Sequence, residues 1–226
     1  ESVERQDRDR RERVHSQFNN FMVRKGVSLI DPSANPAEGP VAAWVEEESP
    51  NSEIVGTRSR VFDITVVSRP VKGANIAAMS ILEAALFEGG RPILIAPPEP
   101  PEKLGENIVI AWNGSTETAR TVAFSMPFLV KAKAVTVIAI DGFGVAGPST
   151  AEVSRQLQRN GSPATHKECA ALNRNPGRAF LEEAADLGAD LLVKGAYTQS
   201  RVRQMIFGGA TDHILSNATI PVLMSH

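Results

Sequence analysis

The sequence is poor in cysteine and contains no long apolar run. Its 226 residues include a single cysteine, Cys169. One cysteine cannot form an intramolecular disulfide or build a cysteine-based zinc site, and we expect a reducing, cytoplasmic location. No apolar run approaches the ~20 residues that a membrane-spanning helix needs, so we expect no association with a membrane.

The sequence also lacks an excess of either charge. It has 24 lysine and arginine residues against 26 aspartate and glutamate residues, with a formal net charge of -2. This balance gives no electrostatic reason to expect binding to nucleic acid or to a membrane surface. The densely charged segment 4–13 alternates in sign, which is typical of a solvated helix face. We therefore expect no nucleic-acid partner.

Common catalytic and phosphate-binding motifs are missing as well. There is no G-x-G-x-x-G after a strand, no P-loop and no G-x-S-x-G nucleophile elbow. The four histidines are scattered, and none has the spacing of a metal site or a catalytic site. An adenylating ligase or a nucleotide hydrolase would need a motif such as S-G-G-x-D-S or H-x-G-H, and the sequence contains neither. The sequence therefore predicts a protein that is not an enzyme and holds no metal.

What the sequence does contain is a regular alternation of strand and helix patterns. In the second half, strand patterns occur at residues 107–112, 134–140, 165–171, 190–193 and 221–225. The helix patterns between them cover residues 116–130, 150–159, 176–187 and 211–217. Continuous apolar strands that are each followed by a helix predict a parallel sheet covered on both faces.

The first half repeats the end of this pattern. It predicts a helix within residues 1–25, a short strand at 41–45, a short helix at 52–62, a buried strand at 63–67, a helix at 76–87 and a buried strand at 91–96. Residues 62–68 match residues 189–195, and residues 90–95 match residues 219–224. These matches indicate a tandem duplication.

The duplication suggests how the domains are arranged. We predict a partial first domain at residues 1–97, a proline-rich linker at 98–105 and a complete second domain at 106–226. The second copy has five strands, whereas the first shows only the last three of them. We therefore expect about 60 further upstream residues, two β-α units, in the native protein. Alternatively, the first half folds differently or borrows strands from another chain.

Two polar stretches follow strands whose carboxyl ends should be neighbours in the second domain. Asn113-Gly114-Ser115 ends the first strand, and residues 195–211 follow the fourth. In a doubly wound sheet this is the switch point where ligands bind. Backbone N–H groups of Gly209, Ala210 and Thr211 at a helix start can receive phosphate oxygens, and Arg201 and Arg203 can add positive charge. Tight turns alone explain the glycines equally well.

At these residues the sequence resembles the universal stress protein family. The resemblance rests on Asn113-Gly114-Ser115, on residues 188–195 (Gly-Ala-Asp-Leu-Leu-Val-Lys-Gly) and on residues 220–224 (Ile-Pro-Val-Leu-Met). It implies an α/β fold with two open parallel five-stranded sheets of order 3-2-1-4-5. This is the adenine-nucleotide α-hydrolase-like, Rossmann-like architecture, with the first sheet incomplete in this chain.

The resemblance also carries expectations about assembly. It implies a non-catalytic stress-response or signalling protein whose two halves pair as an intramolecular pseudo-dimer, or which forms a homodimer. The last strand of each half is an edge that seeks a partner. We therefore expect residues 91–96 to lie antiparallel to residues 220–225 within one chain.

Nucleotide-binding members of the family carry G-x2-G-x9-G-[S/T] after the fourth strand and an aspartate after the first. Gly195 and Gly208 fit this motif, whereas Thr198, Gly209 and Asn113 differ from it. Trp112 adds bulk where adenine or ribose would lie. The resemblance implies an ATP or AMP site in the second domain only, with these candidate residues: Ala111, Trp112, Asn113, Ser115, Ala139, Gly195, Thr198, Arg201, Gly208, Gly209, Ala210 and Thr211. A partner-binding module without nucleotide and a nucleotide-hydrolysing enzyme remain as alternatives.

Overall fold

A computed structural model of the chain describes residues 2–35, 38–47, 52–70, 76–197 and 209–226. The chain divides into two compact units, residues 1–50 and residues 51–226. No helix in the described ranges is long and apolar enough to cross a membrane.

The first unit is built around one long helix. Its elements are α1 (Ser2–Lys25), β1 (Ser28–Leu29) and β2 (Val41–Ala42), and the two short strands pair in parallel. The predicted helix is confirmed, but the strand predicted at residues 41–45 ends after two residues. Beyond β2 the chain packs on α1 and does not extend the pairing with β1. The centre of the Trp44 ring lies 5.0 Å from that of His15 and 5.3 Å from that of Phe18.

The second unit contains six described helices and seven strands. The helices are α2 (Glu53–Ser59), α3 (Ile76–Glu88), α4 (Thr116–Leu129), α5 (Thr150–Arg159), α6 (Pro176–Asp186) and α7 (Ala210–Asn217). The strands are β3 (Thr65–Ser68), β4 (Ile93–Ala96), β5 (Asn107–Ala111), β6 (Ala134–Ile140), β7 (Ala164–Cys169), β8 (Leu191–Gly195) and β9 (Val222–Ser225).

The seven strands form one sheet of order β3-β4-β9-β8-β5-β6-β7. Strands β7-β6-β5-β8-β9 are all parallel, so the predicted α/β class and the order 3-2-1-4-5 are confirmed. Strand β4 joins β9 in antiparallel register, with Ile93 opposite Met224 and Leu94 opposite Leu223. The predicted antiparallel pairing of these two strands is therefore also confirmed.

Two apolar layers cover the faces of this sheet. On β5, Val109 and Ala111 point into the layer that contains Phe180 of α6 and Ile214 of α7. Ile108, Ile110 and Trp112 point into the opposite layer, with Leu129 of α4 and Leu157 of α5. The strict alternation follows from the two-residue period of a strand. It places α4 and α5 on one face and α6 and α7 on the other.

Strand β3 differs from its prediction as a buried strand. It lies at the end of the sheet order, and the Val66 side chain is 61% exposed. In the described part of the chain β3 pairs only with β4. Its β-branched composition is the same as that of an inner strand. The prediction of a strand was therefore correct, and the prediction that it is buried was wrong.

The proline-rich stretch after β4 does not separate two compact units. The ladder between β4 and β9 links residues on both sides of it, and residues 51–226 form one compact unit. The pairing of β4 with β9 would also hold two separate domains together. The division into domains at residues 98–105 remains a prediction.

Candidate functional site

The carboxyl ends of β5 and β8 meet at one edge of the sheet. Ala111 lies opposite Lys194 in the parallel ladder, and Gly195 follows at the end of β8. A Cβ atom at Gly195 would lie 2.3 Å from the backbone nitrogen of Thr118, in the first turn of α4. Only glycine lets β8 approach this helix so closely. The motif glycine at 195 therefore has a packing role.

Asn113 closes the turn between β5 and α4. Its Oδ1 atom accepts hydrogen bonds from the Thr118 hydroxyl at 2.5 Å and from the Ser115 backbone nitrogen at 3.2 Å. The Ser115 hydroxyl oxygen accepts from the Thr118 backbone nitrogen at 3.2 Å and caps the helix. The side-chain oxygen that replaces the motif carboxylate is thus engaged within the turn.

The loop that follows β6 packs directly on this turn. The backbone nitrogen of Val145 donates to the Asn113 carbonyl oxygen at 2.9 Å. Gly114 has a φ of 77°, and a Cβ there would lie 2.4 Å from the Val145 carbonyl oxygen. The carboxyl end of β5 is therefore in contact with a neighbouring loop.

Trp112 lies on the other face of the sheet. Its indole belongs to the apolar layer with α4 and α5, and its Nε1 atom donates to the Pro148 carbonyl oxygen at 2.7 Å. The side chain of Ala111, by contrast, points into the layer with α6 and α7. The structure thus separates the indole from the face that holds Lys194 and Thr211.

Lys194 is the most unusual group at this edge, and the sequence prediction missed it. Its side chain is 5% exposed. The Nζ atom donates to the Gly195 carbonyl oxygen at 2.6 Å and to the Thr211 hydroxyl oxygen at 2.9 Å. Burial lowers the pKa of Lys194 from 10.5 to about 8, and attraction to Asp212 opposes this change. A cationic group therefore lies beside the first turn of α7.

Tyr197 is a second residue that the sequence prediction missed. Its φ of 54° lies in the left-handed region, which is uncommon for an aromatic residue. The hydroxyl donates to Oδ1 of Asp212 at 3.2 Å, and the ring centre lies 5.4 Å from that of Phe87 in α3. The ring is 8% exposed. These contacts connect the end of β8 to α7 and to α3.

The structure therefore brings together five of the predicted residues, Ala111, Asn113, Ser115, Gly195 and Thr211. Gly209 and Ala210 start α7, with Gly209 in the N-cap position. Ala139 lies in β6 opposite Glu168 of β7, one strand away from the β5–β8 edge. Thr198, Arg201 and Gly208 lie outside the described residues. Within the described ranges, no group of three histidine, cysteine, aspartate or glutamate side chains can hold a metal ion.

A comparison with known protein families identifies a match over the second half. The model of the universal stress protein family matches residues 106–226. A segment of 53 residues is 32% identical to the stress response protein NhaX of Bacillus subtilis (strain 168). That match covers 24% of this chain and 32% of the relative, so it spans about a third of NhaX.

Two solved structures resemble the fold over most of the chain. A universal stress protein from Archaeoglobus fulgidus DSM 4304 aligns with a TM-score of 0.64 and 17% identity, over 82% of this chain and 69% of that one. A protein from Pseudomonas aeruginosa UCBPP-PA14, described as a putative universal stress protein, aligns with a TM-score of 0.52 and 14% identity. This alignment covers 93% of this chain and 77% of the Pseudomonas protein. At these identities the similarity concerns the fold alone.

Proposed function

The chain belongs to the universal stress protein family, and we propose that it is a non-enzymatic stress-response protein that binds ATP or AMP in its second domain. The observation that carries the binding proposal is the buried ammonium group of Lys194, hydrogen-bonded to Thr211 in the first turn of α7. The NhaX relative is named as a stress response protein, which supports the broader role.

Two positive features converge beside Thr211. The amino end of a helix carries partial positive charge and backbone N–H groups without intrahelical acceptors. The Lys194 ammonium adds a full charge in a setting where water does not screen it. A hydroxyl group can accept one hydrogen bond and donate another. Thr211 can therefore accept from Lys194 and donate to a phosphate oxygen.

The proposal that the protein does not hydrolyse its ligand rests on Asn113. This residue occupies the position of the motif aspartate, and its side-chain oxygen accepts from Thr118 and Ser115. A carboxamide cannot take up a proton from an attacking water as a carboxylate can. Binding without turnover suits a signalling role.

The ladder between β4 and β9 supports a proposal about assembly. It joins the last strand of each half in antiparallel register, as two domains related by a twofold axis would be joined. We take the chain to be an intramolecular pseudo-dimer of two stress-protein domains, with the second at residues 106–226. The single buried Cys169 suits a reducing cytoplasm.

Calorimetric titration with ATP and with AMP tests the binding proposal. The unaltered chain should show saturable heat, and Lys194→Met should weaken binding about tenfold, because a charge-assisted interaction is lost. ADP and phosphate should not accumulate beyond a protein-free control. Absence of heat at millimolar ATP would rule out the nucleotide site, and steady ADP release would rule out the non-enzymatic role.

A partner-binding module without nucleotide is the second candidate. The contact of Val145 with Asn113 favours it, because the loop after β6 packs on the carboxyl end of β5, where a nucleotide would need access. This candidate predicts no ATP heat in the same titration.

A further inference from the structure

A groove runs between the outer sides of α4 and α5, on the face of the sheet opposite Lys194 and Thr211. Its volume is about 500 Å³, within the range of small-molecule sites. The apolar part of its lining consists of Trp112, Ala119, Val122, Pro148, Val153 and Leu157. The nucleotide proposal makes no use of this groove.

The polar part of the lining comes from α5 alone. It consists of Glu152, Arg155, Gln156 and Arg159. The Glu152 carboxylate is already engaged at the helix start, where it accepts from the Ser149 backbone nitrogen and hydroxyl, both at 2.8 Å. These hydrogen bonds lower the pKa of Glu152 and keep it charged. The one negative charge of the lining, on Glu152, is therefore held at the amino end of α5.

The positive charges of the groove are not engaged in this way. Arg155 and Arg159 are exposed and four residues apart, so they lie on the same side of α5. In the described part of the chain neither guanidinium has a hydrogen bond or an ion pair, and Arg155 attracts Glu152 only through space. The axial rise from Glu152 to Arg159 is about 10 Å. The groove is thus lined by apolar residues, with Arg155 about one helical turn from Glu152 and Arg159 about two turns from it, at the far end.

We propose that this groove binds an amphipathic carboxylate, a molecule with one acidic group on an apolar chain or ring. The acid lies between Arg155 and Arg159, whose planar guanidinium groups match the geometry of a carboxylate. The apolar part lies along Val122, Val153 and the Trp112 end of the groove. A cation is disfavoured because the lining carries two arginines against one glutamate. The site is separate from the proposed nucleotide site and does not depend on it.

The tryptophan content of the chain provides a direct readout. Trp112 and Trp44 are the two tryptophans, and Trp44 lies in the first unit. The 226-residue chain with Trp44→Phe therefore reports on Trp112 alone. Decanoate, kept below its micellar concentration at neutral pH, should change the Trp112 emission in a saturable way. Decanol and decylammonium, which share the chain but lack the acid, should not.

Variants of exposed residues separate the groove from general surface effects. Arg155→Gln with Arg159→Gln should weaken decanoate binding about tenfold or more. Ala119→Phe, which fills the groove, should remove the emission change. Arg120→Gln with Lys131→Gln removes the same charge outside the lining and should leave binding unchanged. Millimolar ATP should not compete with decanoate.

Four results would overturn the proposal. They are no saturable change with decanoate, an equal response to decanol or decylammonium, unchanged affinity in the double arginine variant, and competition by ATP. Failure of ATP to bind at all would refute the nucleotide proposal and leave this one standing.

Discussion

Lys194 places an ammonium group in the interior at the end of an apolar strand. The free energy of unfolding therefore depends on pH. Burial lowers its pKa from 10.5 to about 8. Between these values the unfolded chain binds the proton more tightly than the folded chain. The cost to folding is therefore full below pH 8, at about 3 kcal/mol, and disappears as the pH rises to 10.5.

Lys194→Met should accordingly raise the free energy of unfolding at neutral pH. The gain should be about 1–2 kcal/mol, because the Gly195 carbonyl and the Thr211 hydroxyl lose a donor and offset part of it. The advantage over the unaltered chain should shrink as the pH rises towards 10.5. Urea denaturation across this pH range measures it. If the two chains differed in free energy of unfolding by the same amount at every pH, the buried ammonium would not be the cause of the difference.

The sequence predicted the turns of the site better than its charge. Asn113, Ser115 and Gly195 were identified correctly as neighbours, because the ends of parallel strands meet in a known order. The apolar run around Lys194 predicts only a buried strand, although a lysine at a buried strand position is itself a signal of an unusual site. Its partner, Thr211, depends on how α7 packs, which strand periodicity does not specify.

Among the elements, the inner strands were the easiest to predict. Strands β5, β6 and β8 are buried on both faces, which gives continuous apolar runs. Strand β3 has the same β-branched residues but lies at the end of the sheet order, so composition misjudged its burial. A pattern along one strand records which residues are apolar, and it does not record how many neighbours the strand has.

Asp190 fixes the start of two adjacent strands. Its carboxylate accepts from the backbone nitrogens of Gly105, Glu106 and Asn107 at 2.9, 2.9 and 3.1 Å, so it holds the start of β5 beside the start of β8. Asp190→Ala leaves three backbone donors without this acceptor. We expect the free energy of unfolding to fall by about 2–3 kcal/mol in urea denaturation. Asp141→Ala, at an exposed turn, should change it by less than about 0.5 kcal/mol. Equal effects would contradict the bridging role.

For the whole molecule, the ladder between β4 and β9 is the contact that makes residues 51–226 one unit. It joins segments more than a hundred residues apart, and turn chemistry cannot set its register because no hairpin connects the strands. The family resemblance and the edge position of the last strands predicted which strands would meet. The residue-by-residue alignment follows from the packing of the two apolar layers around the ladder.

This register can be tested by cross-linking. Leu94 and Leu223 are directly opposite each other, so their Cβ atoms lie on the same face and within reach of a disulfide after small adjustments. Leu94→Cys with Leu223→Cys should form an intramolecular disulfide under mild oxidation, visible as faster migration on a non-reducing gel. Cys169 should not compete, because burial raises the pKa of its thiol to about 11. Leu94→Cys with Met224→Cys is the matched control, since successive strand residues face opposite sides. If the control pair cross-linked as readily, the register would be wrong by one residue.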